Sequence, residues 1–303
     1  MKKTLIVLAL LASFQVANAQ SNVNSAAKAV ESALAASQNE KKATKVATWL
    51  KLAQTYLDAY GAPAGNVWLG ADQASLQLSM GNEKPVSVEA VTLGDGQYTK
   101  QVFENKNLYI NGAGQLAIIE VTKPVVENAL GKALEAYKKA YEVDEKHAKD
   151  KEISEGIKSI NEKLSQEAYY AYSLGDVKKA ESFFEAAFDA AAQKPYEKVD
   201  TNSLYNAAFT AWSVQDFSKA KTLFDKCISY GYYADKGEVY AKLSDCAAHI
   251  DTTAAGKTAA KEYLEKGFAQ FPTSESLVFG LINYYMTRGE GTDRLFELLQ
   301  QAK

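Results

Sequence analysis

The sequence predicts an all-α fold: a solenoid of about five helical hairpins, interrupted once by a small antiparallel β insertion. Three observations lead there. A small residue, a bulky one four positions on and a small one three further recur along the chain at a drifting interval. The composition favours helix, with many Ala, Leu, Glu and Lys and only five prolines in 303 residues. Between Ala62 and Lys123 the helical period stops, and Gly, Pro and β-branched stretches replace it.

The chain opens with Lys2 and Lys3, the apolar run Leu5 to Ala12, and Ala17 and Ala19 in the small-residue positions of a cleavage site. That pattern reads as a secretory signal peptide over residues 1–19, cut before Gln20. The apolar run is too short to cross a bilayer, which takes about 20 residues. No Cys stands near the cut, so a lipid anchor is not expected. The short basic start is of bacterial type, and the expected destination is the periplasm. Without Lys2 and Lys3 the formal net charge moves from −3 to −5, with both signs interleaved. No basic stripe marks a nucleic-acid or membrane-binding face, and neither partner is expected.

Residues 20–40 read as an N-terminal helix. "TWLKLAQTYLDAYG", Thr48 to Gly61, is the first helix of a pair spanning 41–61 and 124–150. Four segments carry the small–bulky–small pattern in full: Ala133, Tyr137, Ala140; Ala180, Phe184, Ala187; Ala220, Phe224, Cys227; and Ala260, Leu264, Gly267. Leu295, Leu299 and Ala302 are a weaker fifth. The first positions are spaced by 47, 40, 40 and 35 residues, a period in the solenoid range. Each patterned helix follows another after a tight turn, at Gly175-Asp176 and again at Gln215-Asp216.

These residues resemble the tetratricopeptide repeat. Trp49, Leu52, Ala53 and Tyr56 match that family's first-helix pattern; Ala168 and Ala208 supply its small position in the next two units, and Pro272 closes the fourth. The resemblance covers Lys41 to Lys303 apart from the interruption. It implies stacked hairpins and a concave groove, lined mainly by first helices, that takes peptides or protein segments. In that family Tyr56 and Ala133 would stand about nine residues apart. Here they are separated by 77. The simplest reading makes Val125 to Glu145 the partner of the first helix and residues 62–123 an insertion between them.

Within the insertion, Ala71 to Met80 reads as a short helix capped by Asp72. "VSVEAVTL" and "QYTKQVF" flank Gly94, Asp95 and Gly96, and "NLYI" and "QLAIIEVT" flank "NGAG". Both are hairpin signals, giving a sheet of two to four strands. Such a sheet must bury one face. It is expected to pack on the first helix pair, with Trp68, Tyr98, Phe103 and Tyr109 in the contact.

Catalytic chemistry is sparse, and neither an enzyme nor a cofactor is expected. His147 and His249 have no companions at metal-ligand spacing and read as surface residues near helix ends. "DTTAAGKTAA" imitates the end of a phosphate-binding loop through Gly256, Lys257 and Thr258. Asp251 stands where that loop needs its first Gly, and the preceding segment is helical rather than a strand. Cys227 and Cys246, placed on consecutive antiparallel helices, would be offset by roughly 13 Å along the axis, too far for a disulfide. Both read as small helix residues. The insertion offers Asp72, Glu83, Glu89, Asp95, Glu104 and Glu120, so an enzyme site there is the weakest of three functional readings.

The leading reading is a non-catalytic periplasmic scaffold that binds a protein or peptide segment in its groove. Aligning the repeats on Ala168 and Ala208 turns Tyr169, Tyr172, Tyr205, Phe209 and Trp212 towards that groove. Tyr169 and Tyr205 are expected to be the more exposed; Trp212 and Tyr172 fit packing between repeats equally well. The alternative is an architectural subunit of a cell-envelope assembly, held by the insertion and the C-terminal edge. There Leu295, Phe296, Leu298 and Leu299 make an apolar outer side, as if the chain were a fragment of a longer one or met a partner.

Overall fold

The computed structural model describes residues 23–288 and 291–301; the signal-peptide segment lies outside them. The fold begins with α1 (Val23–Ser37), the single turn α2 (Glu40–Ala43) and α3 (Val46–Gly61). The insertion follows as α4 (Gln73–Met80), β1 (Ser87–Leu93), β2 (Gly96–Val102), β3 (Lys106–Asn111) and β4 (Leu116–Val121). Helices then alternate: α5 (Ala129–Val143), α6 (Asp150–Ser173), α7 (Val177–Ala191), α8 (Thr201–Ser213), α9 (Phe217–Ser229), α10 (Glu238–Ile250), α11 (Ala254–Gln270), α12 (Glu275–Arg288) and α13 (Thr292–Gln301).

α3 packs along α5, so the first helix has its mate on the far side of the insertion. Four further pairs follow, α6 with α7, α8 with α9, α10 with α11 and α12 with α13, each second helix leaning on the next first helix. The small–bulky–small residues are the contact. Ala133, Ala140, Ala180, Ala187, Ala220 and Cys227 have no accessible surface, and Tyr137, Phe184 and Phe224 are buried between them. At Gly267 a Cβ would stand 2.6 Å from the Cβ of Tyr240, so Gly is needed for α10 and α11 to meet.

The hairpin turns repeat as well. After α6, Asp176 N–H donates to Ala171 O at 2.9 Å, with Gly175 at φ +85°. After α8, Asp216 N–H donates to Ala211 O at 2.9 Å, with Gln215 at φ +66°. Each Asp then caps its helix, accepting from Lys179 N–H and Lys219 N–H, both at 3.1 Å. A left-handed residue that ends one helix and an aspartate that starts the next satisfy the free backbone groups of both.

The insertion is a four-stranded antiparallel meander, β1-β2-β3-β4. Asp72 caps α4 by accepting from Ser75 N–H at 2.8 Å. One side of the sheet forms the insertion's own core, in which Leu108, Ile110, Leu116 and Phe103 meet Leu76 and Ala71. The other side, with Tyr98, Tyr109 and Ile118, packs on Tyr170 and Leu174 at the end of α6. This corrects the expected contact with the first pair. The sheet leans on the following repeat, Phe103 serves the internal core, and Trp68 is 51% exposed. A two-faced sheet needs two covers; α4 supplies one, and Tyr170 with Leu174 supplies the other.

At the C-terminal end Phe296 is 63% exposed, as expected of an apolar outer side, but Leu298 has no accessible surface and packs with Leu281 and Tyr285. The side chains of Leu295 and Leu299, and Ala302, lie outside the described residues. Cys227 and Cys246 are unbridged and buried, and burial pushes both thiols up to about 12. His147 and His249 are exposed near helix ends. Gly256 lies in the first turn of α11, packed on the backbone carbonyl of Asp251.

Candidate interaction groove

First helices α6, α8 and α10 stand side by side, joined by polar bonds between side chains that the helical period places on facing strips. Between α6 and α8, Asn202 and Asn206 each donate from Nδ2 to the Tyr169 hydroxyl at 3.1 Å, and Ser165 and Ser203 share a hydrogen bond at 3.1 Å. The Tyr169 ring meets Phe184 edge-on at 5.1 Å. Tyr172 packs in the same small core as Tyr169, around Ala168, Ala171 and Phe184.

Between α8 and α10 the arrangement is tighter. Trp212 Nε1–H donates to Asp245 Oδ2 at 2.6 Å. Lys242 Nζ lies 3.3 Å from the Trp212 ring centre and 5.3 Å from that of Phe209, with Glu238 at 3.7 Å. Its side chain is only 16% exposed. Burial lowers the Lys242 pKa, and the carboxylates of Glu238 and Asp245 partly restore it. An ammonium over an indole face in a half-dry site is held by the ring's quadrupole as well as by the neighbouring carboxylates.

Tyr169, Tyr172, Tyr205, Phe209 and Trp212 are all partly buried. Four of them are linked: Tyr205 to Phe209 at 6.4 Å and Phe209 to Trp212 at 5.7 Å along α8, and Tyr169 through Asn202 and Asn206 to the same helix. Tyr205 is less free than expected. It packs against Phe224 at 5.9 Å and Tyr232 at 5.7 Å, and burial followed by the Glu238 carboxylate raises its phenol well above the usual range.

Sequence reasoning missed the contribution of α10. Matching its buried positions to those of α8 sets Ser244 opposite Ala208, and therefore Asp245 opposite Phe209 and Tyr169. A serine in the small position hid the register. It also missed a polar cluster where α3 meets α6. Tyr60 donates its hydroxyl to Glu167 Oε1 at 2.6 Å, and Lys163 Nζ lies 5.9 Å over the Tyr60 ring. Burial raises Glu167 and lowers Lys163.

Four of the insertion's carboxyls are engaged locally rather than gathered. Asp72 caps α4; Glu83 pairs with Lys106 at 2.9 Å, Glu104 with Lys123 at 3.5 Å, and Glu120 accepts from Asn107 and Tyr109, both at 2.7 Å. Among the described residues no group of His, Cys, Asp and Glu is placed to hold a metal ion. No described helix is long and apolar enough to cross a membrane.

Five consecutive helix pairs, packed through small residues and with the same tight turn recurring after α6 and α8, decide the architecture. The fold is tetratricopeptide-like. No family model matches the chain, and no curated protein matches it. Solved structures similar to this tetratricopeptide-like chain include the MamA RS-1 ArsTM double mutant, with 13% identity and a TM-score of 0.38 over 56% of this chain and 92% of that one. A Podosopora anserina putative kinesin light chain with nearly identical TPR-like repeats gives 14%, 0.34, 57% and 85%. BtubC (BKLC) from P. vanneervenii gives 13%, 0.35, 94% and 90%. At such scores the architecture rests on the chain's own helix packing.

Proposed function

We propose that this tetratricopeptide-like chain is a non-catalytic scaffold of the periplasm, exported by its leader, that binds a peptide or protein segment along the inner strip of α6, α8 and α10. The observation that carries the reading is the run Tyr169, Phe209, Trp212 and Lys242. Tyr169 is held by Asn202 and Asn206, Trp212 by Asp245, and the Lys242 ammonium by Glu238 and the Trp212 ring, while all four residues remain partly accessible. Rings already fixed in position lose little entropy on contact, which is what an interface anchor requires.

The test is affinity capture from periplasmic extract, using the mature chain and a variant carrying Tyr169→Ala and Phe209→Ala whose fold is checked by circular dichroism. The variant is expected to lose the captured partner. Equal capture by both chains sinks the groove reading. A second reading, an architectural subunit of an envelope assembly, is favoured by exposed apolar side chains at both ends: Leu78, Val86 and Val88 on the insertion, and Phe279, Met286 and Phe296 at the C-terminal edge. Under it, the partner is lost when those ends are altered and kept when the groove is.

A further inference from the structure

The insertion presents two sheet edges, and they are treated differently. The start of β4 is covered: Gly70 N–H donates to Leu116 O at 2.8 Å, Leu116 N–H donates to Ala71 O at 2.9 Å, and Asp72 bridges Gln115. β1 pairs with β2 on one side through all seven residues, Ser87↔Val102 to Leu93↔Gly96, without a register shift. Among the described residues its other side meets no strand, and no backbone bond outside the β1–β2 ladder involves residues 87–93.

Open edges invite pairing, and proteins blunt them with lysines, prolines, bulges or very short strands. β1 uses none of these within its length. It is seven residues long, its one charged residue is Glu89, and Val88 within it and Val86 just before it are 58% and 79% exposed. The strand is also held rigid. Val91 and Leu93 pack with Tyr98 and Tyr109 in the core that anchors the sheet to Tyr170 and Leu174 of α6.

From this edge we propose a second binding site, distinct from the groove: β1 accepts an extended segment of a partner protein as a fifth strand, with a basic residue opposite Glu89. Unpaired backbone groups along a preformed strand are complementary to an extended chain and to no other shape. Glu89 sets the charge. On the occupied side the β2 residue opposite it is Lys100, and β1 itself carries no cation. A second copy of the chain fits worse. Full-length antiparallel self-pairing centres on Ala90 and places Glu89 diagonal to its own copy, like charges within reach and nothing between them.

The probe is an end-capped peptide with the β2 sequence GQYTKQV, titrated into the 15N-labelled mature chain while amide shifts are followed. The expected result is saturable shifts confined to β1 and its neighbours. Glu89→Lys should weaken the probe by about threefold and strengthen, by a similar factor, a probe whose lysine is replaced by glutamate. Two further probes, N-methylated at alternate residues, block opposite edges of the peptide; one frame should abolish binding and the other keep it. Absence of shifts at millimolar probe, equal binding of both methylated frames, or charge effects that do not swap overturns the proposal. So does a concentration-dependent dimer of the chain that shifts the same β1 amides in the absence of any probe. Groove variants leave these readouts unchanged, so failure here and failure of the groove reading are told apart.

Discussion

Glu167 shows how much one side chain's surroundings matter. It sits on α6 facing α3, accepts a hydrogen bond from the Tyr60 hydroxyl at 2.6 Å, and has its pKa raised above the usual carboxylate range by burial, with the Tyr60 bond and Lys179 opposing. A folded value above the unfolded one means that the fold favours the protonated acid. That stabilisation is fully present below the unfolded carboxylate range and is lost as pH rises through the folded value. Glu167→Gln keeps an acceptor for Tyr60 and removes the charge. The variant is therefore expected to gain on the wild type as pH is raised from about 4 to about 8, read as the difference in urea midpoint. A difference that stays flat across that window would show that burial at α3–α6 does not act on this carboxyl. The residues of the candidate groove divide on the same scale. Tyr169 and Phe209 were legible because they follow the small residues Ala168 and Ala208; Lys242 and Asp245 were not, because Ser244 disguised the equivalent place on α10.

Among the elements, the insertion is the most individual. Its existence, its capped helix and both hairpin turns could be read from Asp72, from Gly94-Asp95-Gly96 and from the NGAG turn, since these are local chemistry. Where it docks could not. Tyr109 and Ile118 find Tyr170 and Leu174 only once α6 has been placed on α5. Replacing residues 62–123 by a short Gly-Ser linker should leave α3 on α5, because Leu52, Ala53 and Tyr56 meet Ala133, Ala136 and Tyr137 in a core that contains no sheet residue. The expected variant keeps its helical circular dichroism and melts at a lower temperature, since Tyr170 and Leu174 lose their cover. Loss of the helical signal would mean instead that the sheet is part of the first pair's foundation.

Over the whole molecule, stability is spread along the array. The buried residues form a chain of cores rather than one: a first around α3, α5 and α6, a second around Phe224 with Leu204 and Leu243, a third around Leu264, Leu277 and Leu281. Neighbours couple and distant units do not, as in other quasi-linear folds. Phe224 has no accessible surface, so Phe224→Ala should cost about 3–5 kcal/mol. The loss should be local. Hydrogen exchange is expected to show α8, α9 and α10 opening first while α3 and α5 keep their protection. Uniform loss along the chain would mark a single cooperative unit instead.

By itself the sequence determined the helical hairpins, their period, the turns between them and the pairing of Trp49's helix with Tyr137's across 62–123. All of these depend on short-range periodicity, caps and small residues that repeat. Tertiary structure alone decided that the sheet rests on α6, that Tyr205 is packed rather than free, and that Lys242 and Asp245 join the aromatic strip. Those facts depend on side chains from separate units meeting in space, and no spacing along the chain encodes that distance.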